Sequence, residues 1–594
     1  MKTFFKSQRA GTISRRSFLK NGMPGSGTVY NFGPDFMHAD MGRVRQRQAW
    51  HMCSSFGLLV LLLLGSLILA GGSLHAQDDP VAAMIRQRVE KIPIKTGLKV
   101  GACRLASPSI LPRLYQDRGY RPIWTKPEAV NQLITAIQES YLEGLNPQDY
   151  SLAEIRSTTG SASPSTNPSQ AANRDLLLTT AFLRLAANFF CGKEDPVTQH
   201  PEWNILFTMG GADPLTPIEM ELTSQSILQA IDSWKVHHPY YQRLKQALAN
   251  YRAIRAKGGW EPIPGGRVLK IGMSGPEVAA LRRRLAAEDL ELSPATDQQS
   301  FDAGLQEALR RFQGRYSLKT DGMVGSGTLA ALNVPVNDRI DQIRVNLERC
   351  RWVLKDLDDT FVLVNIAGFH VAYLKNDRIV WSSKVQVGRP YRDTPVFRSQ
   401  ITYLELNPTW TVPPTILAKD IIPAVKKNPA YLGKKNLKII DQEGRVINPS
   451  AVNWSKYPQQ PFPYMLRQDP GTSNSLGLIK IIFPNQYNVY LHDTPHRELF
   501  EQEERAFSSG CIRVEHPLEL AELLLDNPAR WGMENLRSAV ANGKTQRISL
   551  PRPVPVLLMY MTVTVDKDGE VFFKSDPYKR DPPLLQEIGR ETCQ

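Results

Sequence analysis

A change of hydrophobic period near residue 351 constrains this chain more than any other feature. Before it, apolar residues recur at three- and four-residue spacing, as in 129–142 and in 175–190, where Leu176, Leu183 and Phe190 share a helical face. After it, residues 361–366, 369–374, 379–387, 402–406 and 480–483 alternate or run in β-branched side chains, the pattern of strands. One core cannot serve both patterns over 594 residues. The sequence therefore predicts a multidomain α+β protein, helical first and mostly β afterwards.

Glycine, proline and small polar residues divide the two parts. Residues 77–257 read as a helical scaffold, broken by a loop over 157–172 that is rich in Ser, Thr, Pro and Asn. The Gly- and Pro-rich stretch 258–266 is a linker. A compact module follows over 267–335. Its Ser274-Gly275-Pro276-Glu277 reads as a capping box before a helix that turns Val278, Leu281 and Leu285 inward. A second helix starts near Phe301 with Leu305, Leu309 and Phe312 on one face, and a turn at Lys319-Thr320-Asp321-Gly322 leads to a third over 328–332. A connecting helix spans 336–355, the β domain 356–575 and a C-terminal tail 576–594. Inside the β domain, 411–464 reads as a loop-rich lid insertion marked by Pro413, Pro414, Trp454 and Tyr457. A late hairpin, 554–565 with 571–574 around Asp566-Lys567-Asp568-Gly569, closes the domain.

Residues 56–70 (FGLLVLLLLGSLILA) form an uncharged apolar run preceded by Arg43, Arg45 and Arg47. Such a run is a secretory signal or a single membrane anchor, and the positive flank sends everything after it outward in either case. Residues 1–76 thus read as a cytoplasmic N-terminus plus signal or anchor. The twin-arginine-like Ser14-Arg15-Arg16-Ser17-Phe18-Leu19-Lys20 lacks an apolar run directly behind it, and Met41 and Met52 offer later starts. Net charge is +14, but nine Lys/Arg against two Asp place +7 of it before residue 77, so the exported part is only mildly basic. That favours an anionic polymer or membrane surface over nucleic acid, for which no aromatic-interleaved basic stripe exists. The six cysteines show no C-x-x-C spacing, which argues against a zinc ribbon and a dense disulfide framework.

Reactive chemistry concentrates around Cys511. A strand-like Tyr490-Leu491-His492-Asp493 precedes a small-residue turn, Ser508-Ser509-Gly510-Cys511-Ile512-Arg513. A neighbouring imidazole that accepts the thiol proton makes cysteine an effective acyl acceptor, and a tight turn aims backbone amides at the developing oxyanion. The bland alternative is a buried small hydrophobe and an unrelated histidine. A metal site from His492, His496, Cys511 and His516 is disfavoured, because Pro495 prevents a helix that would align the first two; no metal or cofactor is expected.

Two sets of residues resemble known families. FDAGLQEALRRFQGRYSLKTDGMVGSGTLAAL over 301–332 resembles the three-helix peptidoglycan-binding module, with Ser317 where that family often has Gly. HDTP…RAFSSGCIRV, with fifteen residues between His492 and Ser508, resembles the L,D-transpeptidase (YkuD-type) signature, in the form of its large Gram-negative YcbB-like branch. That resemblance extends to LNPTWTVPPTI and LRQDPGTSNSLGLIKIIFPN. It implies a mostly β catalytic domain with Cys511 as nucleophile, His492 as general base and acid, Gly510 as backbone oxyanion donor, and the Asp493 carbonyl orienting the imidazole. Ser508, Ser509, Arg513, Tyr490 and Trp410 are the implied substrate contacts. The implied activity is 3→3 cross-linking of peptidoglycan stem peptides through a cysteinyl thioester with release of D-Ala, in the periplasm and open to carbapenems. Glycan, stem peptides, the inner membrane and other wall synthases are the implied partners. An L,D-carboxypeptidase with the same site and a non-catalytic wall anchor stand as the alternatives.

Overall fold

The computed structural model describes residues 79–91, 110–159, 167–194, 196, 226–288, 292, 297–355, 357–376, 378–457 and 459–589. The signal or anchor run, the twin-arginine-like stretch and the later start sites lie outside them. No helix among the described residues is long and apolar enough to cross a membrane.

The scaffold is helical as its spacing predicts. Its longest helix, Pro168–Cys191, is capped by Asn167 and buries Leu178, Phe182, Leu185 and Phe189 together with Leu183, while Leu176 and Phe190 are only partly covered. The expected loop over 157–172 is shorter than its composition suggests. The helix Leu152–Thr159 runs into it from one side, and Pro168, well suited to a first helical turn, starts the next helix on the other. Cys191 is disulfide-bonded, with its partner outside the described residues, whereas Cys350 and Cys511 are free.

The three-helix module forms from Pro276–Ala286, Ala303–Arg315 and Ser326–Leu332, with Val278, Leu281, Leu285, Leu305, Leu309 and Phe312 fully buried. The expected capping box is not made. Pro276 takes the first helical position, so Gly275 is the N-cap and Ser274 falls one residue too early; Glu277 approaches Arg267 instead, at 3.5 Å. Ser317, with φ +57°, does more than shape a turn: its hydroxyl receives a hydrogen bond from Lys574 Nζ at 3.0 Å, joining the module to the β domain. The helix Val336–Val353 is buried on nearly every side and ties the parts together. Arg344 Nε donates to Gly144 O at 2.9 Å, Arg349 pairs with Asp581 at 2.5 Å, and Asn346 bonds Thr562 at 2.7 Å.

The β domain contains β1 (Thr360–Asn365), β2 (His370–Lys375), β3 (Arg378–Gly388), β4 (Phe397–Leu406), β5 (Trp410–Thr411), β6 (Lys438–Ile440), β7 (Val446–Ile447), β8 (Met465–Gln468), β9 (Ile479–Ile482), β10 (Leu491–His492), β11 (Ala506–Ser508), β12 (Ile512–Val514), β13 (Gln546–Met559), β14 (Val563–Val565) and β15 (Val571–Phe573). The main sheet runs β11-β3-β12-β10-β9-β4-β13-β1-β2, and β2 also pairs with β3, so the sheet closes on itself. The long hairpin expected over 554–574 is instead two features. β13 ends at Met559, Tyr560 to Thr562 leave the sheet with Thr562 held by Asn346, and β14 pairs β15 separately.

Two other expectations change. The expected lid insertion over 411–464 is not a loose loop but the bulk of a small subdomain spanning 410–468, with the sheet β5-β8-β6-β7 and a core of its own that includes Leu417, Ile421, Ile422, Val425, Ile439 and Leu466. The supposed tail is packed as far as residue 589: the helix Asp581–Ile588 buries Leu584 and Ile588, and Asp576 accepts from the Tyr560 hydroxyl.

Candidate active site

Register places the reactive residues. β10 runs parallel to β12 with Leu491 opposite Ile512 and His492 opposite Arg513. Because side chains alternate along a strand, Leu491 and Ile512 point together into the core, both fully buried, and His492 and Arg513 share the other face. One step back, the Tyr490 carbonyl accepts from the Ile512 amide at 3.0 Å, which puts Tyr490 beside Cys511. Cys511 and His492 are then diagonal neighbours on one face, a relation that spans about 7–8 Å between backbones and lies within side-chain reach.

His492 is buried, and its Nδ1 lies 2.5 Å from the Asp493 carbonyl. A carbonyl only accepts, so Nδ1 carries the proton and Nε2 is left as the base. Burial first, and then the Arg513 charge, push the imidazole pKa down to about 3, against the pull of the Asp493 carbonyl. Burial likewise holds the Cys511 thiol above its ordinary value, opposed by hydrogen bonds from Tyr490 and by the charges of Lys480 and Arg513. The resting pair is therefore neutral imidazole and thiol rather than an ion pair. The thiol is partly exposed, with Sγ 3.6 Å from the Asn488 carbonyl.

The turn before Cys511 is held from within. The buried Ser508 hydroxyl donates to the Cys511 carbonyl at 2.5 Å and accepts the Gly510 amide at 3.1 Å, so it is committed to the turn rather than open to a substrate. The same bond removes the Gly510 N–H from the oxyanion role expected of it. Gly510 contributes its left-handed backbone, φ +115°, and its carbonyl accepts from Thr394 Oγ1 at 2.8 Å. Among the described residues the Cys511 amide has no acceptor, and it is the donor left near the thiol. Ser509 is exposed and accepts from Arg392 Nη1 at 3.1 Å. Arg392 also pairs with Asp420 in the subdomain, Nη2 donating to Oδ1 at 3.0 Å, and so links the nucleophile turn to the insertion. Trp410 packs against the subdomain core.

Asp493 is fixed on every side. Its amide donates to Ile479 O at 2.9 Å, and its carboxylate accepts from the Leu478 amide at 2.9 Å and from Arg497 at 2.7 Å. Gly477, at φ +62°, leaves the room: any Cβ there would overlap the Asp493 side chain. We expect Gly477→Ala to cost about 2–4 kcal/mol of stability through strain and overlap. A urea titration measures it, and a midpoint shift accompanied by weaker activity is the expected result.

Sequence reasoning missed Arg392, Thr394, Gly477 and Lys480. A Gly-x-Pro turn in Gly388-Arg389-Pro390 marks the end of β3, yet nothing local shows that this turn meets Gly510.

Residues 359–555 match the family model of the L,D-transpeptidase catalytic domain, and they contain both His492 and Cys511. The chain carries an L,D-transpeptidase catalytic domain. Ahead of this L,D-transpeptidase domain, residues 274–332 match the model of a peptidoglycan binding domain and residues 109–248 that of a scaffold domain. A protein of Haemophilus influenzae described as a "Putative L,D-transpeptidase" is 34% identical over 248 residues, 42% of this chain and 50% of that protein. The chain thus spans about half the length of that relative. Among solved structures, an L,D-transpeptidase from Stackebrandtia nassauensis is similar at 12% identity, covering 50% of this chain and 97% of that one with a TM-score of 0.20. One from Xylanimonas cellulosilytica is similar at 15% identity, covering 50% and 100% with a TM-score of 0.15.

Proposed function

We propose that the protein cross-links peptidoglycan stem peptides by L,D-transpeptidation, with Cys511 as nucleophile. One observation carries the reading: the register of β10 and β12 sets an Nδ1-protonated His492 and the Cys511 thiol on one face of the sheet. His492 Nε2 takes the thiol proton as sulfur attacks the carbonyl that joins the third stem residue to the terminal D-Ala. The Cys511 amide stabilises the oxyanion, and the imidazolium returns its proton to the departing D-Ala amine. The side-chain amine of a second stem, deprotonated by His492, then displaces the thioester and leaves a 3→3 cross-link. Arg513 supports the reading as a carboxylate reader. It has the Gln386 side chain as acceptor at 3.1 Å, and its Nε, although buried, has none.

Domains of this kind act on peptidoglycan outside the cytoplasm, and the three-helix module fits retention on that polymer. A carbapenem, which mimics the donor amide, acylates Cys511 on this account. Incubation with disaccharide tetrapeptides, with products read by mass, tests the activity. Dimers with free D-Ala are expected; tripeptides without dimers would move the assignment to an L,D-carboxypeptidase.

A further inference from the structure

The active-site face carries a row of polar side chains at one register level. Across β4, β9, β10, β12 and β3 the paired residues are Glu405, Lys480, His492, Arg513 and Gln386. Their sequence neighbours Leu404, Ile481, Leu491, Ile512 and Val387 alternate to the opposite face and are buried in the core, so the polar row belongs to the active-site face. His492 is flanked on its two sides by cations. Among the described residues no ion pair joins either of them to a carboxylate. Lys480 faces Glu405 across the β4–β9 pairing, close enough to feel its charge but not in ion-pair contact, and sets its ammonium 4.0 Å from the centroid of the Tyr490 ring, the ring that lies beside Cys511. A partly desolvated cation with no carboxylate in ion-pair contact is costly in a free protein, and an anionic ligand offsets that cost.

From this row we propose that Lys480 is a specificity determinant, a second carboxylate reader paired with Arg513 across the reacting centre. The inference rests on the transpeptidase reading and names how its donor is chosen. The two residues sit one strand to either side of β10, so their backbones are about 10 Å apart. A donor stem spans that distance and carries carboxylates on both sides of its scissile amide: the terminal D-Ala carboxylate on one, those of the acidic stem residues on the other. Lys480 and Arg513 read one carboxylate each, and a neutralised stem loses one contact.

Equilibrium binding to the full chain with Cys511→Ala tests this without turnover, using tetrapeptides amidated at one carboxylate at a time. Lys480→Met is expected to weaken the unmodified peptide about 10-fold, the loss of one charge-assisted contact. The same variant should leave affinity unchanged for one particular amidated peptide, and Arg513→Met should do so for a different one. Lys480→Arg should restore the preference for the unmodified peptide. The inference is overturned if Lys480→Met weakens every peptide equally, or none, since the lysine would then act on the thiol or on Tyr490 rather than on the donor. Affinity that follows this pattern while the wild type makes neither dimers nor tripeptides would instead overturn the transpeptidase reading.

Discussion

Replacing Cys511 by alanine is expected to abolish dimer formation and D-Ala release together, a loss on the order of 10^5-fold or more, because the proposed acyl-enzyme forms on its sulfur. The fold should survive. Cys511 is partly exposed, its side chain meets only the Asn488 carbonyl at 3.6 Å and hydrogen bonds from Tyr490, and the turn is held by the Ser508 hydroxyl and the Thr394 bond to Gly510. An unchanged melting curve with no detectable turnover is the expected pair of results, read by circular dichroism and by mass analysis of the muropeptides.

His492→Gln should lower kcat/KM by about 10^3-fold or more at neutral pH, since the thiol loses its base. The pH profile separates this cause from simple misfolding. The imidazole pKa lies near 3 and the thiol sits above its ordinary value, so the wild-type reactive pair is intact and neutral through the physiological range. Its kcat/KM should stay flat between about pH 5 and 8, with no limb near the ordinary histidine value. In the glutamine variant only preformed thiolate attacks, so the rate should climb about tenfold per pH unit over the same range. A wild-type acid limb near pH 6.5 would show that His492 is not held neutral.

Much of this was legible from the chain because it is local. The change of period at residue 351 separates helix from sheet, and His492 and Cys511 lie in one short stretch with turn residues between them. The row from Glu405 to Gln386 was not legible, since its register is set by pairings between strands far apart in sequence. Arg392 was hidden for the same reason: its partners Asp420 and Ser509 belong to different parts of the domain. Other misreadings came from weighing one local signal over another. Pro413 and Pro414 favour a loop, whereas Leu417, Ile421, Ile422 and Val425 carry a helical spacing that builds a core. Pro276 moved a helix start by one residue and undid a capping box. The Gly510 amide, read as an oxyanion donor from the turn alone, is claimed by Ser508, a bond between neighbours that residue types do not reveal.

The central claim is that Cys511 carries the acyl group. Intact-protein mass spectrometry after rapid quenching with a tetrapeptide donor, followed by peptide mapping, reads it directly. The account predicts an adduct of the donor minus D-Ala, located on Cys511 and discharged by an acceptor stem into a 3→3 dimer. Dimers formed by the Cys511→Ala variant, or an adduct on any other residue, would contradict it.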